Sequence, residues 1–169
     1  SGELDPGERS DRASRRPSMS RLRRILHATD FSPASRAGFA RAMSMAKADR
    51  AELLLVHVLT PQATLAVNGY MSPQIYDDLD AAAEKYGQRH LSALEAKARK
   101  GGVRSKTLLL HGLADQQIIR AARSTKADLI VIGTHGRTGL ARLFLGSVAS
   151  RVLAGARCPV RSCRLRAQT

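Results

Sequence analysis

The segment ADLIVIG, residues 127–133, sets four large apolar side chains in a row, Leu129 to Ile132, with no polar residue between them. A strand with one wet face alternates apolar and polar residues. An unbroken run suits a strand covered on both faces, the usual condition in a parallel sheet. AELLLVHV, residues 51–58, has the same character. RILHATD (24–30), VRSKTLLLHG (103–112) and CPVRSCR (158–164) read as three more strands. Segments of helical spacing lie between all of them. The order β-α-β-α-β-α-β-α-β constrains the chain more than any other feature. It predicts an open, mainly parallel α/β sheet with helices on both faces and right-handed crossovers.

The helix signals agree with this order. Ser32 is a good N-cap, and Pro33 suits a first helical position because its missing N–H would be unpaired there. Phe39, Met43 and Ala46 then recur at helical spacing and are expected to face inward. Ser72 and Pro73 repeat the signature and open a long helix to about residue 100, with Ile75, Leu79, Ala82, Tyr86 and Leu94 expected on its core side. Gly101 and Gly102 end it, since glycine accepts the left-handed conformation of a helix terminus. ADQQIIRAARS is expected to turn Ile118, Ile119 and Ala122 inward. GSVASRVLAGAR (146–157) is expected to do the same with Val148, Val152 and Leu153.

A chain of 169 residues suits one domain. Residues 1–22 are rich in Arg, Ser, Asp and Glu with few large apolar groups, and read as a flexible or expression-derived arm. Residues 23–169 form the domain. No apolar run approaches the roughly 20 residues of a membrane helix, and the N-terminus lacks the apolar core of a signal peptide. The expected compartment is therefore the cytoplasm, with no membrane partner. Cys158 and Cys163 are too few for a disulfide framework and do not match a zinc spacing. If both lie in one strand, their odd separation puts them on opposite faces. His27, His57, His90 and His111 form no metal-ligand spacing.

In open parallel sheets ligands bind beyond the C-terminal ends of the strands. Asp30, Val58 and Gly133 each end a strand and so share that edge. Past Gly133 the chain reads GTHGRTGLARLFLGS, residues 133–147. No Gly-Lys-Ser/Thr is present, so this is not a Walker loop, and the spacing also fails the dinucleotide fingerprint. The ingredients of a phosphate site are nevertheless there. Gly133 and Gly136 allow a sharp turn and a close backbone approach. Gly146 and Ser147 open a helix whose free N–H groups and positive dipole end favour an anion. Arg137 and Arg142 could supply charge-assisted bonds to outer phosphates. On these grounds two readings stand side by side: a phosphate cradle, or a turning loop with a capping serine. Asp30 likewise reads as a ligand contact or a helix cap, and His135 as a contact or a solvated side chain.

The spacing G-x2-G-x9-G-S resembles the ATP-binding signature of the universal stress protein family. ILHATDFSPAS, LLLVHV, DLIVIGTHGRTGL and GSVASRVL…CPV resemble that family's segments in the same order, over about residues 22–164. The resemblance implies a Rossmann-like fold of the adenine nucleotide alpha-hydrolase type, with five parallel strands in the order 3-2-1-4-5. It implies ATP, or AMP or ADP, as ligand, with magnesium accompanying ATP. Asp30 would bond the nucleoside, Ala28 and Thr29 would make neighbouring backbone contacts, and Val58 would meet adenine. Ile132, Gly133, Gly136, Arg137, Gly146, Ser147, Val148 and Ala149 would form the ribose and phosphate cradle. Where Ala149 stands the family often has a hydroxyl residue, so one phosphate contact is absent. The resemblance further implies a homodimer through the last strand, although Arg161 and Arg164 interrupt that edge. The expected role is a nucleotide-dependent sensor or adaptor in the stress response, with at most slow hydrolysis.

Charge supports a second class of function. The net charge is +14, and after Asp128 there are seven arginines and no Asp or Glu. Such a field attracts polyanions, so a module binding nucleic acid or an acidic partner without nucleotide is the alternative. With three Tyr, three Phe and no Trp, stacking platforms are scarce and nucleic-acid binding would be unspecific.

Overall fold

The computed structural model describes residues 21–61, 72–134 and 146–164. The apolar runs become the strands: β1 Arg24–Ala28, β2 Glu52–Leu59, β3 Ser105–His111, β4 Leu129–Gly133 and β5 Val160–Cys163. They pair in parallel, in the order β3-β2-β1-β4-β5. The helices are α1 Pro33–Asp49, α2 Pro73–Lys100, α3 Ala114–Ser124 and α4 Ser147–Gly155.

The pleat splits the core in two. Ile25, Leu53, Leu55, Leu129 and Val131 face α1 and α2, meeting Ala42, Ala46, Leu91 and Ala98. Leu26, Leu54, Val56, Ile130 and Ile132 face α3 and α4, meeting Ile118, Ala122, Ala149 and Val152. Most of these side chains are almost fully buried. Each large one contributes about 1.5–3 kcal/mol of burial, which is why β1 and β4 tolerate so few polar residues. β5 begins at Val160, so Cys158 precedes the strand rather than lying in it; Cys158 nevertheless packs on the α3–α4 side and Cys163 on the α1–α2 side. Burial raises the pKa of both above the ordinary thiol value.

Ser32 caps α1 as expected: its Oγ accepts the N–H of Ser35 at 3.2 Å, with Pro33 in the first turn. Ser72 precedes α2 without a side-chain capping bond. At the far end of α2, Gly101 keeps φ at −78° and Gly102 takes the left-handed turn, φ +76°.

The inward face of α2 differs from the expectation. Ile75, Leu79 and Tyr86 are 46%, 43% and 41% exposed, and Ala82 is exposed too. The buried residues are Gly87, Leu91 and Ala98, with Leu94 half-buried against the core. Length explains it. A helix of 28 residues runs about 42 Å, whereas β2, with 8 residues, runs about 26 Å. The first half of α2 therefore reaches past the strands, where its half-buried side is Tyr76, Asp80 and Ala83, each one position after an expected residue. Full burial begins at Gly87, where an added Cβ would meet Leu109 and His57. Leu153 is also exposed, at 54%, because Ala149 and Val152 set the buried stripe of α4 and Leu153 falls one position off it.

Candidate functional site

A cavity of about 330 Å³ opens at the C-terminal edge of β1, β2 and β4. Of the residues expected to bind a ligand, Ala28, Thr29, Asp30, Val58, Ile132, Gly133, Gly146, Ser147, Val148 and Ala149 all line it. Gly136 and Arg137 lie outside the described residues, as do His135 and Arg142.

The loop after β1 is held by a short chain of polar bonds. The Thr29 N–H extends the ladder to the Val56 carbonyl at 2.9 Å. Thr29 Oγ1 accepts the Phe31 N–H at 3.0 Å and the Ser35 hydroxyl at 2.5 Å. Asp30 Oδ1 accepts the Ser32 N–H at 3.0 Å. Asp30 thus shapes the turn before α1, while Ser32 does the capping. Phe31 follows with φ +64°, a left-handed conformation unusual for a bulky residue. It is packed on His57 (4.5 Å between ring centres), His90 (5.0 Å) and, edge-on, Tyr86 (5.8 Å). His57 gives its Nδ1–H to the Thr29 carbonyl at 2.7 Å, which fixes its tautomer. Strand β2 and helix α2 together hold the loop that carries Asp30.

The two helix N-termini beside the cavity differ in what they offer. At α1, Asp30, Ser32 and Thr29 already occupy nearby donors. At α4, Gly146 gives its N–H to the Thr134 carbonyl at 2.7 Å and provides no side-chain cap. The first-turn N–H groups of Ser147, Val148 and Ala149 have no partner within the helix. They make α4 the anion-favouring end, helped by its dipole. Ala149 is also 4% exposed and part of the core, so it offers a backbone donor and an apolar wall together.

Gly133 has a structural reason of its own. A Cβ there would sit 3.0 Å from the Ala34 carbonyl carbon and 3.0 Å from the Ser35 nitrogen. Close packing of β4 on the first turn of α1 leaves little room for a side chain here, whatever the cavity holds.

His27 lies beneath this loop on β1, fully buried, its Nδ1 3.1 Å from the Val131 carbonyl. Nε2 has no partner among the described residues. Burial lowers its pKa from the ordinary 6.5 to about 4, the nearby Val131 carbonyl and Asp30 opposing that shift. The ring is therefore neutral at pH 7, with Nδ1 as the donor.

The cavity is also lined by residues not expected as ligand contacts: Ser35, Val56, His57, Ala114, Ile118 and Thr134. A topological signal for some of them was present. In a parallel sheet every helix following a strand starts at this edge, so the first turns of α1 and α3 belong beside the ends of β1 and β3. His57 is the one polar residue within the apolar run ending at Val58, and that anomaly marks it.

The family model described as the universal stress protein family matches residues 21–163. Universal stress protein MJ0531 of Methanocaldococcus jannaschii is 35% identical over 138 residues, 82% of this chain and 79% of the relative. A universal stress protein of Thermus aquaticus is 37% identical over 136 residues, 80% of this chain and 94% of the relative. Among solved structures, hypothetical protein MJ0577 superposes with a TM-score of 0.78 at 20% identity, covering 88% of this chain and 99% of its own. An Arabidopsis thaliana universal stress family protein with AMP bound gives 0.61 at 20% identity, over 86% and 93%. A universal stress protein in complex with cAMP gives 0.62 at 23% identity, over 87% and 100%.

Proposed function

The chain belongs to the universal stress protein family, and from that premise we propose that its cavity binds an adenine nucleotide, ATP with AMP and ADP as alternatives, and that the nucleotide-bound protein acts as a sensor or adaptor in the cytoplasmic stress response. The observation that carries the reading is the convergence of ten expected ligand-binding residues, from β1, β2, β4 and α4, on one cavity. Relatives of the same fold solved with AMP and with cAMP support it.

The chemistry of the lining fits such a ligand. Val56, Val58, Ile118, Ile132 and Ala28 give apolar walls for a planar base. Backbone groups at Val58 read its edge, and Asp30 accepts from the nucleoside. The phosphates meet the N–H groups and dipole of α4 at Ser147, Val148 and Ala149; the part assigned to Gly136 and Arg137 rests on the sequence alone, since both lie outside the described residues. Asp30 is the only carboxylate among the described lining residues. Magnesium in this reading arrives coordinated by the triphosphate rather than by a cluster of protein carboxylates.

A homodimer through β5 belongs to the same reading. β5 is the outer strand of the described sheet, with Arg161 exposed on it. Light scattering of the full chain tests the dimer; a monomer at micromolar concentration would remove it. No helix among the described residues is long and apolar enough to cross a membrane. Mass spectrometry of nucleotide released by denaturing freshly purified protein tests the ligand class. Adenine nucleotides are expected, and a guanine nucleotide or a dinucleotide in their place would overturn the assignment.

A further inference from the structure

The opposite edge of the sheet, where β1, β2 and β4 begin, carries a second concavity of about 870 Å³. Six cations line it: Arg21, Arg23, Arg24, Arg50, Arg104 and Lys126. Only three carboxylates among the described residues stand against them, Asp49, Glu52 and Asp128, leaving the trough at +3.

Those carboxylates are engaged in structural bonds. Asp128 Oδ2 accepts the N–H groups of Arg23 and Arg24 at 2.7 and 2.9 Å. Asp49 Oδ2 accepts the Leu22 N–H at 3.3 Å. Glu52 is shared between Arg24 at 3.4 Å and Lys106 at 3.0 Å. The side chains of Arg23, Arg50, Arg104 and Lys126 are on exposed residues and have no hydrogen-bond or ion-pair partner among the described residues.

Arg50 and Lys126 occupy unusual positions. Both take φ +53°, closing α1 and α3 in the left-handed conformation where glycine is the ordinary residue. Cations complement the negative ends of helices, which accounts for part of this charge. Each helix end supplies only about half a negative charge, so the surplus over the whole trough remains.

We propose that this trough is a docking surface for a nucleic-acid backbone, bound through phosphates without base readout. A phosphodiester chain fits a concave row of guanidinium and ammonium groups. An anionic membrane fits it less well. Among the described residues the trough offers only Leu22 as a large apolar side chain, and the strongly exposed ones, Ile75, Leu79, Tyr86, Leu113 and Leu153, all lie elsewhere. No aromatic ring of the described residues lines it, so bases have nothing to stack on there. The nucleotide cavity lies at the other end of the strands, and the two sites do not compete for residues.

The test is fluorescence anisotropy of the full chain with a labelled duplex DNA and an RNA duplex of the same sequence, across about 50–200 mM salt. Three proteins are compared. One is the parent chain. The second carries Arg50→Gly, Arg104→Gln and Lys126→Gly, where glycine relaxes two left-handed positions and so spares the fold. The third carries Lys85→Gln, Arg89→Gln and Lys97→Gln on the exposed side of α2, removing equal charge away from the trough. The parent is expected to bind both duplexes with a steep salt dependence. In the trough variant affinity falls at least tenfold, and the slope of log K against log salt shrinks by about 0.9 for each phosphate no longer neutralised. The α2 variant keeps most of its affinity. No binding by the parent at low salt, equal losses in the two variants, or binding to phosphatidylserine vesicles alone would overturn the proposal.

Discussion

Gly133 and Ala34 stand so close that a single methyl group on the glycine would lie 3.0 Å from the Ala34 carbonyl carbon. The glycine therefore serves the junction of β4 with α1 before it serves any ligand. Gly133→Val is expected to destabilise the protein by about 1–3 kcal/mol through overpacking, measured as a lower melting temperature in nucleotide-free buffer. An unchanged melting temperature would mean that the junction is looser than it looks. Loss of nucleotide binding in this variant is accordingly no measure of the cradle.

His27 gives the fold a defined acid sensitivity. Its pKa is about 4 when folded and 6.5 in the unfolded chain. Between these values the unfolded state binds the extra proton, so stability falls as pH drops through that window and is fully present above it. The full effect amounts to about 3 kcal/mol. Urea midpoints are expected to fall between pH 7 and pH 4.5 in the parent. His27→Gln should be less stable at pH 7 but show a flatter profile, and parallel profiles would discount His27 as the cause.

Ser32→Ala should cost about 1 kcal/mol by removing the side-chain acceptor for the Ser35 N–H, equivalent to a melting-temperature fall of about 2–4 °C for a domain of this size. Asp30 makes a different bond in the same turn, with Ser32 N–H. Asp30→Asn keeps an acceptor there and removes the charge. It is expected to leave the melting temperature within a few degrees and weaken nucleotide binding about tenfold, or 1.4 kcal/mol. Calorimetry alongside a thermal melt separates the two effects.

How much of the fold and site is legible in the sequence varies with the physics involved. The apolar runs Leu53–Val56 and Leu129–Ile132 announce buried parallel strands, because they are short, bounded by polar residues or glycine, and lack the alternation of a strand with one wet face. The shared edge of Asp30, Val58 and Gly133 then follows from strand direction alone. The inward face of α2 is not legible at Ile75, Leu79, Ala82 and Tyr86. Their helical spacing is real, but spacing says nothing of how far a helix outruns the strands beneath it. The role of Gly133 is half visible: a glycine requirement shows in sequence, but the identity of the crowding atoms, in α1 about one hundred residues earlier, does not. Ser35 enters the cavity from the helix that follows β1 and Ile118 from the helix that follows β3; strand direction places those helices at this edge, but which of their side chains reach the cavity has no local signature. The left-handed Phe31 is likewise explained only by the rings of His57, Tyr86 and His90 that surround it.

Ser147 offers the sharpest handle on the site. It is exposed at the first position of α4, beside the free N–H groups of that helix. An aspartate there favours the helix dipole and so preserves or raises stability. The same charge repels a phosphate. Ser147→Asp should therefore weaken AMP and ATP while leaving the melting temperature equal or higher. Adenosine, which brings no phosphate, should bind the parent and the variant alike.

The decisive measurement is a calorimetric titration of the full chain with ATP, repeated on Ser147→Asp. Saturable binding with one nucleotide per chain is expected, weakened at least about tenfold, or 1.4 kcal/mol, by the substitution with the fold intact. No saturable heat with ATP, ADP or AMP, or equal affinity in the two proteins, would contradict it.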